Sequence, residues 1–249
     1  MALFSLLFLA TLLPYHTLHS ASVNVGIING TEVEPHSRPY MVSIQKDGSH
    51  IFGGFLLSDQ YVMSAAHCWE ENTTFTAVLG AHDLSDSSEN AIRIAVESHH
   101  IHPHYNSHTL DNDILLLKLH KPVKKSKTVS WIAIPERDED IPGNTVCSVA
   151  GWGRTGTTKP KSVRLREANT TVTDRTICDK LWQITSRMIC AVLPGGPCKG
   201  DSGGPLVCNN IAVGIVSFGE VFCESPSKPE VYAKISAFLP WIKSIVGNM

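Results

Sequence analysis

Short apolar runs separated by turns limit what this chain can fold into more than any other feature. Tyr40-Met41-Val42-Ser43-Ile44, Gly53-Gly54-Phe55-Leu56-Leu57, Tyr61-Val62-Met63, Ala77-Val78-Leu79, Ile114-Leu115-Leu116-Leu117 and Ile211-Ala212-Val213-Gly214-Ile215-Val216 all have strand length. Such a series predicts an all-β sandwich or barrel. One helix is expected, at the end. Phe238/Ile242 and Trp241/Ile245 stand four residues apart beyond Ser236, and Pro240 suits an early turn. No internal repeat or low-complexity linker is visible, and 249 residues suffice for one or two domains with a sizeable core.

Charge excludes some partners. Lys and Arg number 21 against 23 Asp and Glu, a net charge of −2, so nothing in the balance asks for nucleic acid or an anionic membrane. Residues 1–22 read as a secretory signal, with an apolar core from Leu3 to Leu13 and small residues at Ser20-Ala21-Ser22. That core is too short for a comfortable membrane span, and no later apolar run approaches the roughly 20 residues a span needs. The n-region has no Lys or Arg, and a signal anchor is the alternative reading. Seven cysteines in an exported chain imply disulfides plus one thiol left over. Asn29-Gly30-Thr31, Asn72-Thr73-Thr74 and Asn169-Thr170-Thr171 are glycosylation sequons.

The chemistry is concentrated in Gly200-Asp201-Ser202-Gly203-Gly204-Pro205. A serine between glycines is open to close approach, and neighbouring backbone N–H groups can converge on an oxygen that becomes negative. A hydroxyl is a poor nucleophile without a base and a group to orient that base. His67 in Ala65-Ala66-His67-Cys68 and Asp113 in Asp111-Asn112-Asp113-Ile114 supply both, in one of the chain orders in which this triad recurs. Separately, the three could be a core histidine, a strand-end aspartate and a surface serine. All three lie within motifs, which makes that joint reading the weaker one.

With Ile27-Ile28-Asn29-Gly30 and Gly151-Trp152-Gly153, these stretches resemble a trypsin/chymotrypsin-type serine protease from Ile27 to about the end of the chain. The pattern is nearest to the granzyme, mast-cell chymase and cathepsin G group. The resemblance implies a protease domain over 27–249, made of two six-stranded Greek-key antiparallel barrels with a C-terminal helix on the second. His67 and Asp113 would come from the first barrel and Ser202 from the second. It implies backbone N–H groups of Gly200 and Ser202 as the oxyanion hole. It implies a short pro-segment, 23–26, cut after Gly26 by an activating protease that is not trypsin-like. The freed ammonium of Ile27 would then pair with Asp201. Disulfides Cys147–Cys208, Cys178–Cys190 and Cys198–Cys223 follow from the same pattern. Cys68 departs from it, because Phe52 stands where its partner would be. Cys68 is therefore expected to be a buried free thiol, at a cost of roughly 2–4 kcal/mol unless the phenylalanine fills the space. A covalent dimer through Cys68 is the alternative.

By the same resemblance, Ser217-Phe218-Gly219 would be the rail on which a substrate adds a strand. Gly196, followed by Pro197, would floor the primary pocket, which excludes a trypsin-like aspartate floor. Glu230 falls where relatives usually have glycine on the pocket wall, and Lys199 would rim the pocket. A carboxylate in an otherwise apolar pocket implies mixed basic and aromatic or large apolar preference before the cut; Glu230 turned to solvent or paired with Lys228 is the alternative. No cofactor and no metal are expected. The histidines of His99-His100-Ile101-His102-Pro103-His104 lack ligand spacing, and Ala81 replaces the glutamate of calcium-binding relatives. Lys121, Lys124, Lys125 and Lys127 read as a solvated connection, with a polyanion patch including Arg164 and Arg166 as the rival. Partners would be protein or peptide substrates and protein protease inhibitors, and the location the extracellular space or a secretory granule. Rivals to the dual-specificity protease are a strictly chymotrypsin-like enzyme and a protease-shaped binding protein without catalysis.

Overall fold

The apolar runs close into two barrels because each exposes a face that only another such face can cover. A computed structural model describes residues 27–192, 196–224 and 227–247. The expected signal, the pro-segment and the bond after Gly26 lie outside them. The chain begins with a two-residue strand, β1 (Thr31–Glu32). The first barrel follows: β2 (Met41–Lys46), β3 (Ser49–Leu56), β4 (Tyr61–Ser64), β5 (Thr76–Leu79), β6 (Ile92–Ile101) and β7 (Leu115–Leu119), closed in the order β2-β3-β4-β7-β6-β5. Asp47 and Gly48 both have positive φ, 50° and 76°, which joins β2 and β3 in a tight hairpin. Val42, Ile44, Leu56, Leu79, Leu115 and Leu117 fill the interior. Phe52 joins them, its ring edge-on to Phe75 at 5.4 Å. The phenylalanine thus packs the place a second cysteine would hold, and Cys68 is a free, half-buried thiol.

The second barrel comprises β8 (Val146–Gly151), β9 (Arg166–Val172), β10 (Met188–Val192), β11 (Pro205–Cys208), β12 (Ile211–Phe218) and β13 (Glu230–Lys234), closed by pairing of β8 with β9. β1 adds to its outside through Thr31↔Glu167 and Glu32↔Arg166. Ile27, Val149, Leu206, Val213, Val216 and Tyr232 form its core. The three disulfides are Cys147–Cys208, Cys178–Cys190 and Cys198–Cys223.

Among the described residues there are two α-helices. The C-terminal one, α2 (Leu239–Val246), carries Pro240 in its first turn. It packs at the seam rather than on the second barrel alone. Phe238 and Ile242 share a cluster with Phe55 and Met63 of the first barrel and Val207 and Ile215 of the second, and His102 sets its ring edge against Phe238 and Trp241. The other, α1 (Arg175–Trp182), departs from the single-helix expectation. It is as long as α2, but Arg175, Asp179 and Lys180 make it polar on average where α2 is apolar. Asp174 caps it by accepting from the Thr176 N–H at 2.8 Å, and its buried Cys178 ties it to β10. Among the described residues no helix is long and apolar enough to cross a membrane.

The arginines proposed as accomplices of the lysine run are engaged elsewhere. Arg166 is buried and donates to the Gly30 carbonyl, while Arg164 pairs with Asp83 at 3.1 Å and Glu32 at 3.5 Å. Among the described residues no group of three or more His, Cys, Asp or Glu side chains is arranged around a common metal position.

Candidate active site

A short 3-10 turn, Ala66–Cys68, follows β4 and carries His67 to the seam between the barrels. Asp113 lies just ahead of β7, in a turn where Asn112 takes φ 57°. The two meet: His67 Nδ1 lies 2.7 Å from Asp113 Oδ2, and the His67 N–H donates to Oδ1 at 2.9 Å. Asp113 is 1% exposed. A carboxylate so deeply buried needs donors, and Ser217 supplies another, its hydroxyl donating to Oδ2 at 2.5 Å. Burial disfavours charge on the His67 ring. The bonds to Asp113 and then to Cys68 outweigh that and raise its pKa above the ordinary histidine value.

Ser202 enters from the loop between β10 and β11. Its carbonyl accepts from the Gly53 N–H of the first barrel at 2.8 Å, so the nucleophile loop is stitched across the seam. Gly203 has φ 80°, and a Cβ there would collide with Ser64 Oγ and the Gly53 carbonyl. This loop passes so close to the other barrel that only glycine fits. Among the described residues the Ser202 hydroxyl makes no hydrogen bond, and His67 Nε2 faces the Cys68 sulfur at 3.5 Å. Such bonds commonly tighten only when substrate is bound.

The loop's N–H groups divide sharply. Those of Asp201, Gly203 and Gly204 donate to Cys198, Val216 and Asp201 carbonyls. Those of Gly200 and Ser202 have no acceptor among the described residues. Two free donors flanking a nucleophile are what an anion-stabilising site requires.

Asp201 is 1% exposed and accepts from Gly153 N–H at 2.7 Å and Cys198 N–H at 3.0 Å. Burial nonetheless pushes its pKa up to about 7. Ile27 is fully buried in the second barrel's core, against residues such as Leu206 and Tyr232. In the uncut chain its nitrogen is a peptide nitrogen and carries no charge. The Ile28 N–H donates to the Gly196 carbonyl at 3.0 Å, linking this segment to the expected pocket floor.

Glu230, first residue of β13, is 8% exposed. Its carboxylate fills the space that a Cβ on Gly219 would take. Among the described residues it forms no hydrogen bond or ion pair; burial, and then the like charge of Glu220, push its pKa up to about 7. Lys228 is not its partner, since that ammonium lies 4.3 Å over the Trp182 ring. Ser217, Phe218 and Gly219 lead off the end of β12, with Phe218 edge-on to Trp182 at 5.4 Å. Lys199 is exposed, and its carbonyl accepts from the Arg154 N–H.

Reading the sequence missed three participants. Ser217, expected only on the rail, also bonds Asp113. His50 reaches the Gly200 carbonyl at 2.9 Å, and Lys161 donates to the His50 carbonyl at 2.7 Å. Nothing local announces either contact, because the partners are 150 and 111 residues away.

Known proteins resemble this chain along most of its length. The family model described as Trypsin matches residues 27–242. The chain is 39% identical to human cathepsin G over 98% of its own length and 94% of that protein. It is 40% identical to human serine protease 57, over 91% and 83%, and 41% identical to bovine duodenase-1, over 88% of each. A family match across nearly all the described residues, joined to this fold, leads to one conclusion: the chain belongs to the trypsin family of serine proteases.

Proposed function

We propose that the protein is a secreted or granule-stored serine endopeptidase that cuts after basic and after aromatic or large apolar residues. Ser202 Oγ attacks the scissile carbonyl while His67 Nε2 takes its proton. His67 later returns that proton to the leaving amine, and water repeats the sequence to release the acyl group. Asp113 holds the imidazole tautomer and stabilises its cation. The free N–H groups of Gly200 and Ser202 stabilise the oxyanion, each contributing on the order of 3 kcal/mol. Substrate adds as a strand along Ser217, Phe218 and Gly219, over a pocket floored by Gly196 and rimmed by Lys199.

The observation that carries the specificity is the unpaired, buried carboxylate of Glu230. An ionised carboxylate in such a place is costly unless a cation joins it, and a lysine or arginine side chain of the substrate is such a cation. The apolar remainder of the pocket accepts Phe or Leu when the carboxyl is protonated. kcat/KM on Lys, Arg, Phe and Leu peptides tests this with wild type and Glu230→Gln. A Lys/Phe ratio that drops in the variant supports the reading; an unchanged ratio removes Glu230 from it and leaves a chymotrypsin-like enzyme. A phosphonate that labels Ser202 in the activated protein separates either enzyme from a non-catalytic binder.

Activation follows from Asp201. Cutting after Gly26 gives Ile27 an ammonium that can join the buried carboxylate of Asp201, which has no ion-pair partner among the described residues, and their pairing sets the neighbouring oxyanion loop. Export is supported by the signal-like 1–22 segment and the three disulfides. Asn29, Asn72 and Asn169 are all exposed and suit glycan attachment.

A further inference from the structure

Gly200 is gripped from two directions, and one grip is a lysine with no part in the chemistry above. The glycine takes φ 105°, and a Cβ there would lie 3.0 Å from Gly153 Cα, 3.1 Å from Lys161 Cε and 3.3 Å from Lys161 Cδ. The lysine stem therefore covers one face of the glycine. Its ammonium continues to the neighbouring strand and donates to the carbonyls of His50 at 2.7 Å and Ile51 at 3.3 Å. Burial, and then Arg154, lower the pKa of that ammonium, and the nearby Asp201 acts in the opposite direction. A half-buried charge is not placed without cost.

The second grip comes from His50 itself. Its Nε2 meets the Gly200 carbonyl at 2.9 Å and its Nδ1 meets Ser43 Oγ at 2.8 Å. A carbonyl only accepts, so Nε2 carries the proton. Burial lowers the ring's pKa to about 4, so the ring is neutral and Nδ1 accepts from the Ser43 hydroxyl. Gln45 Nε2 donates to Ser43 Oγ at 3.3 Å, and Arg93 Nη1 donates to Gln45 Oε1 at 2.8 Å. Donation thus runs one way, from an exposed arginine to the Gly200 carbonyl. Without a side chain, Gly200 has a wide choice of backbone angles. Lys161 holds its Cα side and, through the His50 carbonyl, the histidine that holds its carbonyl.

We propose that Lys161 is a positioning residue for the oxyanion site: stem against Gly200 and ammonium across His50 and Ile51, it keeps the Gly200 N–H aimed at the oxygen that becomes negative. This rests on the reading of Gly200 as an oxyanion donor.

Three variants of the activated enzyme beginning at Ile27 test it. Lys161→Met keeps the stem and removes the donor, Lys161→Ala removes both, and Lys161→Arg restores a donor. Small misplacement of a preorganised group is costly, so Lys161→Ala is expected to lower kcat about 10-fold with KM within about twofold. Labelling by a phenylalanyl diphenylphosphonate slows by the same factor, Lys161→Met falls between, and Lys161→Arg recovers most of the loss. Wild-type kcat and labelling in the Met and Ala variants would overturn the assignment, as would a loss confined to KM, which marks a substrate contact. If Lys161→Ala does not fold, the Met variant against the Arg variant decides alone. A wild type that neither labels nor cleaves sinks the acyl-transfer reading and this inference together; a reactive wild type with unaffected variants sinks only the role of Lys161.

Discussion

Glu230 shows how one side chain can make a pocket answer to acidity. Its pKa stands at about 7, raised by burial and by Glu220. Below that value the carboxyl is protonated and the pocket is an apolar slot; above it an anion waits for a cation. The Lys/Phe ratio of kcat/KM is therefore expected to climb between about pH 6 and pH 8, beyond any change shared by both substrates through His67. In Glu230→Gln the ratio should stay level over the same range, and a parallel climb in the variant would remove the carboxyl as its cause. At the same scale, Asp201 has a folded-state pKa of about 7 against an ordinary 3.8. The uncut chain binds its proton more tightly folded than unfolded, so stability falls as pH rises from about 4 through about 7. Glu230 contributes a decline of the same sign, so Asp201→Asn should make the fall shallower in urea unfolding of the uncut chain, while the cleaved variant loses activity.

At the scale of the strand, Phe52 on β3 replaces a covalent link by packing. It is 2% exposed and edge-on to Phe75. Phe52→Ala should cost about 3–5 kcal/mol in denaturant unfolding, with Cys68 becoming accessible to a thiol reagent. A loss near zero would mean that the neighbours close over the gap. These elements also show what could be read in advance. The strands were legible because their apolar runs are short and closely spaced, and the sites because His67, Asp113 and Ser202 each sit in a recognisable local pattern. The helix α1 was not, since its charged residues leave it polar on average and a cap and a disulfide help to hold its two turns. Arg166 looked like surface charge and is buried, because its neighbour relations are set by β1, which lies far away along the chain. His50 and Lys161 were invisible for the same reason: long-range contacts leave no periodicity.

For the molecule as a whole, the two barrels meet along one seam that holds both the reactive groups and the contact of α2 with each half. Gly53 N–H to the Ser202 carbonyl and Ser217 Oγ to Asp113 cross it. A small slide of one barrel against the other therefore disturbs the triad directly. The path of the chain adds a further constraint. Ile27 lies in the second barrel's core and β1 on its flank, although both precede the whole first barrel. On a ribosome, the earliest of these residues to emerge must wait for β9, β11 and β13 before finding their places, and such distant pairings are slow to form. An isolated first barrel expressed from residue 27 would carry a strap with nothing to buckle into, and nascent chains halted before β13 should leave that strap open to proteases.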